Sequence, residues 1–200
     1  EEIRNEWILE YDVVLLDSRT GITDIGGVCT IHLPDVLVLM FTTNEQSLNG
    51  VCEVMALARE KHKDLPFDRN YLLGLPVPCR DESRTEYENS QKWKVKFSNK
   101  LDNVYRDWIP KTTKPSQVLE LLRIPYIPYW SFGERLPVIE EGTNDPTSLG
   151  FSLEILARTI SQKLDWNQVL NNQNNIVNKE SIELNNSDME DDMDKSHFMK

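Results

Sequence analysis

The residues with the most chemical potential in this 200-residue chain lie in one stretch, Asp17-Ser18-Arg19-Thr20-Gly21, directly after the apolar run Val13-Val14-Leu15-Leu16. A carboxylate at the carboxyl end of a buried strand stands where open α/β sheets bind ligands, and it can orient a metal-bound water beside a phosphate. The Arg19 guanidinium can grip phosphate with its planar fork, and the Ser18 and Thr20 hydroxyls can donate hydrogen bonds. Gly21 allows positive φ or close backbone approach to a ligand. An ordinary strand followed by an Asp-Ser turn explains the same residues equally well, because both are common turn formers.

Positioning this loop requires a buried strand, and Val13 to Leu16 lack the polar alternation of a half-exposed one, so a strand covered on both faces is expected there. Val36 to Phe41 (VLVLMF) reads as a second strand of the same kind. Between them, 22–32 reads as loop plus a short helix, closed at Leu33-Pro34. Leu48, Val51, Val54, Met55 and Leu57 then recur at helical spacing over Glu45–His62, giving an amphipathic crossover helix. Tyr71 to Val77 predicts a third strand, expected to stop near Leu75 because Pro76 cannot donate to a ladder, with Pro76 to Arg80 as a stiff loop.

A long helix is expected within Thr85–Ile109, where the aromatic stripe of Trp93, Phe97, Tyr105 and Trp108 reads as core rather than a ligand box. Shorter elements follow: a helix over Lys114–Leu122, a fourth, short strand within the extended stretch Arg123–Trp130 that runs into another loop, a long ordered loop over Ser131–Thr147, and a last helix opened by Asp145 to Ser148 and ending near Leu164. A short helical lead-in over Glu2–Glu10 precedes them all. The fold class is therefore α/β: a doubly wound, mostly parallel sheet with flanking helices.

Composition narrows the function classes. The net charge of −11 argues against broad binding to nucleic acid or anionic membrane, both of which need a basic surface. No apolar run approaches the roughly 18 residues that span a bilayer, and EEIRNEW is not a signal or transit sequence, so a cytoplasmic location is the default. Cys29, Cys52 and Cys79 are odd in number and set among apolar residues, which favours thiols over disulfides or zinc. After residue 166 the composition becomes asparagine-rich, and over 171–200 three lysines stand against seven carboxylates. Such a segment buries too little apolar surface to order itself. Residues 1–166 are thus expected to form the α/β domain and 167–200 a disordered acidic tail.

In order and spacing, the chain resembles the second half of a ParA/MinD-type (deviant Walker) P-loop ATPase, close to the variant group whose phosphate loop reads KGGVGR. YDVVLLDSRTG stands where the family has YDxxLIDxPPG, and Asp35-Val36-Leu37-Val38 where it has AADxxLxP. Glu45 to Gly50, Leu73-Gly74-Leu75, Ile124-Pro125, Leu136-Pro137-Val138 and Asp145 to Ala157 follow in register. The resemblance runs from Tyr11 to about Leu164. It implies part of a P-loop NTPase fold that binds ATP and Mg²⁺, often as a nucleotide-sandwich homodimer. Asp17 would be the Walker B carboxylate and the metal-side residue, and Ser18, Arg19, Thr20 and Gly21 the second switch loop, with Arg19 beside Asp17 in catalysis. Pro78, Cys79, Pro125 and Tyr126 would line the adenine.

This chain departs from the family at three points. Arg19-Thr20 replaces two prolines, and Pro78 replaces an Asn or Thr. No G-x-x-x-x-G-K-[ST] or KGGxGK-like loop exists in the sequence, so the amides and lysine that cradle phosphates must come from another segment. The sequence, which starts at Glu1 rather than methionine, reads as a piece whose beginning lies elsewhere. In the family, the strand feeding the phosphate loop lies between the strand ending at Asp17 and Val36–Phe41, so two rows of backbone groups are expected to need another partner. The expected function is the carboxyl-terminal portion of an ATP hydrolase, inactive without its P-loop segment. The alternative from a different class is a non-catalytic signalling or scaffold module that binds protein partners. An unrelated hydrolase or phosphatase has little support, since G-x-S-x-G, D-x-D-x-T and a spaced Cys-His pair are all absent.

Overall fold

The computed structural model describes residues 2–18, 27–64, 71–83 and 85–170. Three parallel strands, β1 (Val36–Thr42), β2 (Leu73–Asp81) and β3 (Ile124–Pro125), form one sheet in the order β1-β2-β3. The helix α2 (Glu45–His62) connects β1 to β2, and α3 (Tyr87–Tyr105) and α4 (Pro115–Leu122) connect β2 to β3. A 3₁₀ turn (Pro128–Ser131), one turn of helix α5 (Pro137–Glu140) and α6 (Leu149–Ser161) follow, and residues 166–170 are helical. The leading helix, α1 (Glu2–Glu10), forms as expected but buries no residue, and its Arg4 is joined to Asp35, beside β1, at 2.7 Å. The structure is thus an α/β protein with a small parallel sheet and flanking helices. Among the described residues no helix is long and apolar enough to cross a membrane. Of the expected acidic tail, residues 167–170 are helical, with Val169 buried in the core, and 171–200 lie outside the described residues.

Capping chemistry sets the helix starts. Asn44 Oδ1 accepts from the Ser47 amide at 2.8 Å to open α2, and Ser148 Oγ accepts from the Phe151 amide at 3.0 Å to open α6. The core joins Phe41 and Leu48 to Phe97, Leu101 and Tyr105 of α3, to Val118, Leu119 and Leu122 of α4, and to Ile155 of α6, with Trp166 and Val169 also buried in it. Gly74 is the point of closest approach. A Cβ built there would stand 2.5 Å from Val104 Cγ1 and 2.9 Å from Met55 Sδ, so only glycine lets α2 and α3 meet over β2.

Three sequence expectations need correction. The run Val13 to Leu16 is not a strand, and Val13, Val14 and Leu15 are 46%, 41% and 78% exposed. Among the described residues β1 pairs only with β2, so this segment has no ladder to join. Nor is β1 covered on both faces. Leu37, Leu39 and Phe41 are buried, whereas Val38 and Met40, on the opposite face, are 37% and 58% exposed. The strand expected to be short within Arg123–Trp130 is short, with two residues, because Pro125 interrupts its ladder and Pro128 opens the 3₁₀ turn.

Against the third expectation, β2 does not stop at Leu75 but runs through two prolines to Asp81. Parity explains why this is possible. The Leu73 amide donates to the Asp35 carbonyl at 3.1 Å, so odd-numbered residues of β2 bond towards β1 and even-numbered ones point the other way. Pro76 and Pro78 are even, and the β3 ladder begins only at Cys79. Their missing amides therefore fall where no ladder bond is required. The carbonyls on that edge find side chains instead: Trp108 Nε1 donates to the Gly74 oxygen at 2.9 Å and the Tyr105 hydroxyl to the Pro76 oxygen at 2.7 Å.

Burial raises the Tyr105 phenol well above its ordinary acidity range. The folded state therefore holds this proton more tightly than the unfolded chain, so stability is full below the ordinary tyrosine range of about 10 and falls as pH rises through it. Tyr105→Phe should cost about 1–3 kcal/mol at neutral pH by orphaning the Pro76 carbonyl. It should also flatten the alkaline loss of stability, as read by urea unfolding at stepped pH values.

Candidate functional site

The carboxyl ends of the three strands gather several of the residues that the sequence pointed to. At the tip of β1, Ser47 Oγ accepts from the Thr42 amide at 3.1 Å and Asn44 Nδ2 donates to Thr42 Oγ1 at 2.7 Å, which ties the strand end to the start of α2. At the end of β2, Pro78 is buried opposite Phe41, and Cys79 is paired with Thr42 on one side and Ile124 on the other. Arg80 adopts a positive φ of 53°, a left-handed geometry uncommon for a side chain of this kind, and the ladder shifts register at this point. The shift lets the Asp81 carbonyl accept from the Tyr126 amide at 2.9 Å and leaves the Arg80 guanidinium 4.8 Å above the Tyr126 ring. Pro78, Cys79, Pro125 and Tyr126 are thereby brought to one end of the sheet by backbone pairing.

Asp17 and Ser18 are placed differently. Asp17 is exposed and Ser18 half-buried, in a segment that is neither strand nor helix, so no strand delivers the carboxylate. Arg19, Thr20 and Gly21 lie outside the described residues. Among the described residues no three His, Cys, Asp or Glu side chains converge as a metal-ligand group. A water-mediated contact to magnesium, the role implied for Asp17, needs only one carboxylate.

A cavity of about 240 Å³ opens beside this end of the sheet. Pro78 and Thr43 form its strand side, Trp93 and Phe97 its α3 side, and Leu119 its α4 side. Its polar wall is a chain of ion pairs. Lys94 bonds to Glu120, Glu120 Oε1 to Arg123 Nη2 at 3.1 Å, and Arg123 Nη1 to Asp81 Oδ1 at 3.1 Å, with the Ser83 hydroxyl also on Arg123. Glu82, Glu86 and Asn89 stand at the rim and are exposed. Pro78 is the one residue this cavity shares with the nucleotide-side set; Asp17, Ser18, Cys79, Pro125 and Tyr126 do not line it. Sequence reasoning missed the cavity. The signal was present as the stripe Glu86, Asn89-Ser90, Trp93-Lys94, Phe97, spaced three and four apart on one helix, and only its aromatic members were read, as core.

The Cys79 thiol is pushed up to about 11 by burial, against a smaller opposing pull from a backbone hydrogen bond at Phe41. The thiolate is the reactive form. Iodoacetamide at pH 8, followed by peptide mass spectrometry, should therefore label Cys79 more slowly than free N-acetylcysteine in the same buffer, with the Cys79 rate still climbing tenfold per pH unit towards its raised value.

Comparison of the chain with models of known protein families, with curated proteins and with solved structures finds no match.

Proposed function

We propose that this chain is the carboxyl-terminal portion of a ParA/MinD-like ATPase. In this reading it supplies the Walker B and switch II carboxylate, Asp17, together with the adenine-side residues Pro78, Cys79, Pro125 and Tyr126. Mg·ATP binding and hydrolysis then require a P-loop carried on another segment, and the protein works in the cytoplasm. The observation that carries the proposal is the parallel β2-β3 ladder, in which Cys79 pairs with Ile124 and Asp81 with Pro125, setting the two adenine-side pairs together at the carboxyl end of the sheet. The margin of β1 that is unpaired among the described residues and the exposed Val13 to Leu15 run add support, since both are apolar segments that a neighbouring strand would cover.

Catalysis of this type rests on positioning and on neutralising charge around the transferred phosphoryl group. Asp17 would hold a magnesium-bound water, Arg19 would face the γ-phosphate, and Ser18, Thr20 and Gly21 would close over it. The second reading, a non-catalytic scaffold on the same frame, is favoured by the exposure of Asp17 outside any strand.

Titration with a fluorescent ATP analogue and Mg²⁺ separates the two readings. The chain alone should show no saturable binding at up to about 1 mM nucleotide, well below the affinity that a phosphate cradle provides. Addition of a segment bearing a KGGVGR-type loop should create binding, and Asp17→Asn in the joined protein should slow hydrolysis about a hundredfold. Tight Mg·ATP binding by the chain alone overturns the proposal. Association with the P-loop segment that confers no nucleotide binding selects the scaffold.

A further inference from the structure

Glu82 and Glu86 stand at the rim of the 240 Å³ cavity, outside the ion-pair chain that neutralises its wall. Both fixed cations of the wall are already matched: Lys94 by Glu120, and Arg123 by Asp81 and Glu120. Asn89 Nδ2 donates to Glu86 Oε2 at 2.9 Å and so orients that carboxylate, while Glu82 has no side-chain partner among the described residues. The lining therefore carries a surplus of negative charge above an apolar floor made by Pro78, Trp93, Phe97 and Leu119.

This pattern repels a phosphate and suits a cation on an apolar stem. The space, about 240 Å³ and open to solvent at its rim, accommodates one long side chain. A guanidinium matches two carboxylates better than an ammonium does, because its planar fork offers parallel donors to each. Its methylene stem can lie along the Trp93 wall while the charge stays at the wet rim. Trp93 already attracts one cation: Lys96 Nζ lies 4.8 Å from its ring centroid.

We infer that the cavity between β2, α3 and α4 binds an alkyl-guanidinium, the chemistry of an arginine side chain or of a free amine such as agmatine. Glu82 and Glu86 hold the charged head and Trp93 the stem. This site shares only Pro78 with the nucleotide-side residues, and it stands or falls without reference to ATP.

The test is a titration of the full chain, read from the indole N–H cross-peak of Trp93, which Trp93→Phe identifies among the five tryptophans. N-acetyl-L-arginine N-methylamide or agmatine should shift that peak saturably at about millimolar concentration, in keeping with so small a ligand. The uncharged isostere N-acetyl-L-citrulline N-methylamide should not. Glu82→Gln combined with Glu86→Gln, both on exposed positions, should weaken binding at least about tenfold without changing the circular dichroism spectrum, and added salt should weaken it in the parent chain. Preference for the capped arginine over agmatine assigns the site to a peptide side chain, and the reverse assigns it to a free amine. Equal responses to arginine and citrulline probes, or an unchanged affinity in the doubly neutralised variant, overturn the inference.

Discussion

Two hydrogen bonds from aromatic side chains make the central strand possible. β2 carries prolines at alternate positions, 76 and 78, and would ordinarily be rejected from the middle of a sheet. Tyr105 and Trp108, at and just beyond the end of α3, donate to the Pro76 and Gly74 carbonyls and so complete an edge that β3 is too short to reach. Both donors belong to one packed unit: the two rings meet edge to face with centroids 5.8 Å apart, and Trp108 in turn meets Trp166 at 6.0 Å. The backbone of β2, the carboxyl end of α3 and the helical turn at residues 166–170 are thereby locked together.

The other margin of the sheet contrasts with this one. β1 is long, regular and apolar, yet among the described residues it has a neighbour on one side only and one of its faces is partly open. Such an edge is what folded proteins ordinarily cover or blunt with charge. The segment before it does neither. α1 is attached to the end of β1 through Arg4 and Asp35, and the apolar residues that follow it remain exposed.

The helices were legible in the sequence because each carries a period of its own: the stripes of α2, α3 and α6 and their caps at Asn44 and Ser148 are local features. The strands were less so. A continuous apolar run says that a segment wants burial on both sides, but not whether the neighbours that would bury it are at hand, and on this point Val13 to Leu16 and β1 parted from expectation. Pro76 misled for a different reason. A proline breaks a ladder only if its nitrogen faces a partner, and which way it faces depends on register, a long-range property that one strand's sequence does not contain. Pro78 and Cys79 were grouped with Pro125 and Tyr126 only as an expectation from a family; what brings their backbones to one end of the sheet is the β2-β3 ladder. The acidic rim was not legible, because Glu82 and Glu86 acquire meaning only when α3 and α4 stand side by side.

The parity of β2 gives the sheet a direction of growth. Along residues 74 to 78 the margin facing away from β1 has two positions without amide hydrogens, and its carbonyls at 74 and 76 are already occupied by indole and phenol donors. A strand arriving there would find almost nothing to bond. Enlargement of this sheet, whether by a neighbouring polypeptide in the cell or by unwanted aggregation at high concentration, is thus directed to the β1 side, where among the described residues the backbone groups of Val36, Val38 and Met40 have no ladder partner, while those of Thr42 are already taken by Ser47 and Asn44.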